Sequence, residues 1–134
     1  MKNLIFILFT FFSLISCGRD NEKEKDNSLW LGKWSWVSSS GGITGTTLTP
    51  ASTSKTIVLT LNSDNTFSIS TNGVITSRGT YSLYKDVSNL THYEATFIQF
   101  SGNYTRSTIA NENDQLILSD DANDGFTSLY QSQK

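Results

Sequence analysis

The sequence predicts an all-β domain, with about eight short antiparallel strands joined in chain order and closed as a barrel or stacked as a sandwich. Three observations carry this. Apolar and polar residues alternate in short runs, the two-residue period of a half-buried strand. Clusters of Asn, Asp, Ser and Gly separate the runs. Beyond residue 17, Ser and Thr make up more than a quarter of the chain, a composition poor in helix formers. A closed barrel also removes the edges that a strand-rich chain would otherwise expose.

Each element follows from its pattern. Trp30, Trp34 and Trp36 share one face of the first strand. The stretch 38–55 reads SSSGGITGTTLTPASTSK, contains Pro50 and is too long for a hairpin; loops of this length are either functional lids or disordered. Ile57, Leu59 and Leu61 then share a face, with Thr56, Val58 and Thr60 opposite. Asn62-Ser63-Asp64-Asn65 is a turn. Phe67, Ile69 and Thr71 line one face of the next strand. Asn72-Gly73 is the strongest hairpin signal, because both residues tolerate positive φ. Residues 74–84 form a longer run in which Gly79 marks a bulge or bend, with Tyr81 and Leu83 on one face. The run 93–100 is apolar on both faces in places, which leaves its inward face open. Runs at 104–110, 116–119 and 126–131 complete the set.

The 134 residues suit one domain. A net charge of −2 and a pI near 5.2 leave no basic footprint, so no nucleic-acid partner is expected. The apolar content of 37% mixes two materials. Residues 4–15 are apolar except for Thr10 and Ser13 and follow a short positive start at Lys2. Twelve helical residues span about 18 Å, short of the ~30 Å hydrocarbon core, so a secretory leader over 1–16 fits better than a membrane span. Residues 18–28, GRDNEKEKDNS, hold no apolar side chain. They cannot bury enough surface to offset ordering entropy and read as a tether. The domain proper is 29–134, only about one-third apolar. Cys17 is the sole cysteine, so no disulfide forms within the chain and stability must come from packing.

Catalytic and metal patterns fail at their decisive positions. Asp120-Asp121-Ala122-Asn123-Asp124-Gly125 invites a calcium reading, but the third and twelfth positions of an EF-hand loop would be Ala122 and Gln131, which fail; a turn before the last strand fits, and no metal or other cofactor is expected. His92, the only histidine, shares a strand face with Glu94. The pair could serve acid–base chemistry or lie solvated on the exterior. No nucleophile elbow accompanies it, and Gly41-Gly42-Ile43-Thr44-Gly45 lacks the ending of a phosphate loop. No enzymatic activity is expected.

Two resemblances add to this. Leu14-Ile15-Ser16-Cys17 resembles the lipobox of bacterial lipoprotein precursors, which implies cleavage before Cys17 and lipidation of its thiol. Each buried CH₂ contributes ~0.8 kcal/mol, so two or three chains anchor permanently. The acidic run Asp20, Glu22, Glu24 and Asp26 resembles a surface-export signal interrupted by Lys23 and Lys25. The implied location is the cell envelope, at the outer membrane of a Gram-negative bacterium, facing either the periplasm or the surface. Leu31-Gly32-Lys33-Trp34-Ser35-Trp36 resembles the Gly-x-Trp opening of lipocalin-like domains. SSGGITG at 39–45, Thr49-Pro50, residues 61–67, Asn72-Gly73, Gly79-Thr80-Tyr81, residues 115–120 and Asp124-Gly125-Phe126 follow in the order found in small bacterial lipocalin-like lipoproteins.

This second resemblance spans about residues 29–132 and implies a small up-and-down antiparallel barrel of eight strands. It implies that Trp34 closes the narrow end, that Gly32 permits close backbone approach, and that an arginine stacks on Trp34; Arg106 and Arg78 are the options. Trp36, Phe67 and Tyr81 are the candidate ligand contacts, for a small apolar or amphipathic ligand. The other reading is a barrel filled by its own side chains, serving as a non-catalytic interaction module of the envelope. Neither reading names a protein partner.

Overall fold

The computed structural model describes residues 28–133. The expected leader, the lipid site at Cys17 and all of the tether except Ser28 lie outside the described residues. The chain forms β1 (Gly32–Gly41), β2 (Thr46–Leu48), a one-turn helix α1 (Pro50–Thr53), β3 (Ile57–Leu61), β4 (Thr66–Thr71), β5 (Val74–Val87), β6 (Glu94–Phe100), β7 (Ser107–Glu112), β8 (Gln115–Asp120) and β9 (Phe126–Ser132). Apart from β2, each strand pairs antiparallel with the next, and β1 pairs with β9. The result is a closed, eight-stranded antiparallel barrel with almost no helix.

Antiparallel partners lie on the same face of a sheet, so the register fixes what points inward. Trp34 faces Leu59, Leu59 faces Ile69, Leu61 faces Phe67, and Ile109 faces Leu118. These residues belong to one buried cluster with Trp30, Tyr81, Ile98 and Leu116, or pack on it. The alternation expected for residues 57–61 and 67–71 is therefore the inward face of β3 and β4. Asn72 and Gly73 both have positive φ, 51° and 80°, as the two-residue turn requires.

Several elements differ from expectation, each for a local reason. Trp30 precedes the first strand, in a turn, and is nonetheless buried. The stretch 38–55 is ordered: β1 runs on to Gly41, β2 pairs back on it, and α1 follows. Thr49 caps α1, its hydroxyl accepting from Ser52 N while Thr49 N donates to Ser52 Oγ, a reciprocal box that starts a helix without any buried side chain. Gly79 is not the bulge. The irregularity in β5 lies between the partners of Ile69 and Ser70, Ser77 and Ile75. Gly79 sits opposite Phe67, and a Cβ there would overlap Ser101 Oγ and press on the Phe67 ring at 3.1 Å. β7 begins at Ser107, leaving Tyr104 fully exposed in the preceding connection.

The ambiguous run in β6 is buried on both faces. Ile98 joins the core, while Phe97, on the opposite face, is also inaccessible. Phe97 stacks on Tyr84 at 5.7 Å and carries the Arg106 guanidinium 4.2 Å above its ring. Arg106 is thus committed outside the barrel, and Arg78 stands opposite Ser68 on an exposed stretch of β5. The expected arginine on Trp34 is neither of them. The long β5–β6 hairpin explains the cover. β6 pairs with β7 over two residue pairs only. Beyond these the hairpin tip lies against the outer face of β7 and β8, where Asp121 accepts from Ser88 Oγ, Asn89 N and Leu90 N.

Candidate functional site

The two ends of the barrel are built differently. At the end where β1 begins, the Trp34 indole donates to Trp30 O at 2.9 Å, and Asn111 of β7 donates its side-chain amide to Leu29 O. Residues 28–30 therefore cross from β1 toward the far wall and hold Trp30 under the core. Tyr81 closes the same end, its hydroxyl donating to Asn62 O at 2.8 Å. Gly32 adopts φ +124°, and a Cβ on it would meet open space. Its role is a backbone conformation that L side chains avoid, not the close approach expected.

The opposite end carries apolar side chains that meet solvent. Val74 pairs with Thr71 and Phe126 with Gly41, so both lie on the inward face, yet they are 67% and 37% exposed. Below them the interior turns polar. A register shift between Trp36 and Ser38 brings Ser39, rather than Ser38, onto the face of Trp36. The Trp36 indole donates to Ser39 Oγ at 2.8 Å, and Ser39 shares a 2.7 Å hydrogen bond with Ser128. At the same end, Ser107 donates to Asp120 Oδ1 at 2.8 Å and Phe126 N donates to Asp120 Oδ2 at 3.2 Å. Burial pushes the Tyr130 phenol up, the charge of Asp120 adds to this, and the Ser128 hydroxyl pulls the other way. The mouth is thus a polar collar above the apolar core.

Of the three candidate ligand contacts, Trp36 lies in this collar. Phe67 and Tyr81 lie in the packed core, where Phe67 makes an edge contact with Phe100 at 4.7 Å. The collar residues Ser39, Ser107, Ser128 and Tyr130 were not singled out by the sequence, and Asp120 stood out only as the start of a calcium-like turn. The only available signal was alternation in β8 and β9, and Asp120 also fits a turn.

Two other places bear on chemistry. His92 is not on a strand: it occupies a left-handed turn position, φ 60°, and both it and Glu94 are exposed. Outside the barrel wall, a cleft of about 280 Å³ lies between the β5–β6 tip and strands β7 and β8, lined by Leu90, Ala95, Thr108, Ala110 and Asp121 among others. Asp121 is spent there on structure. Burial would raise its carboxyl, but donors from Asn89, Ser88, Arg106 and Leu90 hold it at about 2. No family model, no curated protein and no solved structure matches this chain.

Proposed function

We propose that this chain is a lipid-anchored, lipocalin-like protein of the cell envelope whose barrel mouth holds a small apolar or amphipathic ligand. The observation that carries the reading is the asymmetry of the barrel. One end is plugged by Trp30 and Trp34, while inward-facing Val74 and Phe126 at the other meet solvent. A site of this kind, apolar with a few placed polar groups, is the usual form of a small-molecule pocket. In this reading the protein is not an enzyme and needs no cofactor. The lipid on Cys17 fixes it to the outer membrane of a Gram-negative bacterium.

Native mass spectrometry of the protein drawn from its own envelope tests the ligand. A bound small molecule, lost on Trp36→Ala, is the expected result. A second reading, an interaction module with a filled barrel, draws on the tightness of the waist, where Leu59, Leu61 and Ile98 are 1% exposed and Leu116 is 0%. A ligand-free barrel that crosslinks in cells to one envelope protein overturns the first reading in favour of the second. The anchor has its own test. Cys17→Ser is expected to abolish palmitate labelling and leave an unprocessed precursor; persistent labelling removes the lipidation proposal.

A further inference from the structure

We infer that the ligand of the barrel mouth is an amphipathic amine, its ammonium group held by Asp120. The inference rests on the binding reading above and names the ligand class. Asp120 ends β8 opposite Ser107, a buried residue, and shares the inward face of Leu118. Each of its oxygens accepts one bond, from Ser107 Oγ and from Phe126 N. A carboxylate offers about four acceptor positions, so capacity remains for a further donor.

The neighbouring donors are already used. The Trp36 indole is taken by Ser39, and Ser39 is bonded to Ser128. Among the described residues no cation is paired with Asp120, since Arg106 is committed to Asp86 and Asp121 outside the wall. The Tyr130 phenol beside it stays neutral, pushed up by burial and by the same carboxylate.

One negative charge therefore lies on the inward face near the end of the barrel, beside Phe126 and with no counter-charge among the described residues. Near apolar walls such a charge acts at a lower effective dielectric than in bulk water. It repels a carboxylate or phosphate head group and attracts a cation that can also donate hydrogen bonds. An ammonium does both, and an alkyl or aryl body would lie against the apolar side chains at this end.

Isothermal titration of the full-length protein at pH 7 with octylammonium, octanol and octanoate tests this. Octylammonium is expected to bind at least ~10-fold more tightly than octanoate, with octanol between them. Asp120→Asn is expected to bring the three affinities together while octanol binding persists. Octanoate binding as tightly as octylammonium, or a preference that survives Asp120→Asn, overturns the inference. If the variant fails to fold, salt decides in the unaltered protein: the preference must shrink as ionic strength rises, and a salt-independent ratio overturns it. If none of the probes binds, the binding reading falls too. If octanol and octanoate bind and octylammonium does not, only this inference falls.

Discussion

Asp121→Ala is expected to destabilise the folded chain by about 1.5–3 kcal/mol, the loss of hydrogen bonds to a charged group in a partly buried network. The side chain is fully inaccessible, against 21% exposure for Arg106 and 52% for Asp86. It accepts from Ser88 Oγ, Asn89 N, Leu90 N and Arg106 Nε. Truncation would strand Ser88 Oγ and Asn89 N, while Leu90 N keeps its bond to Ser88 Oγ and Arg106 keeps Val87 O. It would also leave Arg106 above Phe97 with Asp86 as its sole carboxylate. Because the same carboxylate ties the β5–β6 tip to β8, amide exchange at Asn89 and Leu90 should accelerate more than exchange in β3 or β4. Urea unfolding measures the first effect and hydrogen exchange the second. A loss below ~1 kcal/mol, the range of an exposed ion pair, would show that the tip is held by something else.

The same residue sets an acid limit. Its folded pKa, about 2, is depressed from the ordinary aspartate value of 3.8. A carboxylate depressed in the folded state contributes stability that is fully present above the unfolded pKa and is lost as pH falls through the folded one. The wild-type protein should therefore lose this contribution between about pH 4 and pH 2, and Asp121→Asn should flatten that part of the curve.

How much of this was legible in the sequence depended on whether the signal was local. Leu59, Leu61, Phe67 and Ile69 declare the inward face of two strands by simple alternation, and Asn72-Gly73 declares the turn beside them. The stretch 38–55 concealed its structure because β2 is Thr-Thr-Leu, too short and too polar to show a period, and α1 buries nothing. Phe97 was readable as apolar in a run whose inward face alternation left open. Its cover comes from Tyr84 and Arg106, contacts that only the barrel register creates. The collar was hidden for a similar reason. One extra residue between Trp36 and Ser39 decides which serine faces Trp36, and alternation cannot locate such a shift. Asp120 carries both turn and strand character, and only its pairing with Ser107 shows that it points inward.

Trp34→Ala should produce the other large effect, and through a different mechanism. Trp34 is 4% exposed, paired with Leu59, and tied by its indole N–H to Trp30 O. Removing a buried indole leaves a cavity at the end of the barrel that must stay shut, at a cost of about 3–5 kcal/mol. For a domain of this size 1 kcal/mol is worth about 4–8 °C in Tm, so the fall should be on the order of 15 °C or more. Trp34→Phe separates two contributions: it keeps most of the plug but loses the hydrogen bond, and should cost about 1–2 kcal/mol. Trp36→Ala is the informative contrast. Trp36 sits in the collar beneath side chains already in contact with water, so the space it vacates can be solvated and the structural penalty should be smaller, with ligand retention changing instead. If Trp36→Ala proved as destabilising as Trp34→Ala, the barrel would be plugged at both ends, and the asymmetry on which a binding role depends would be gone.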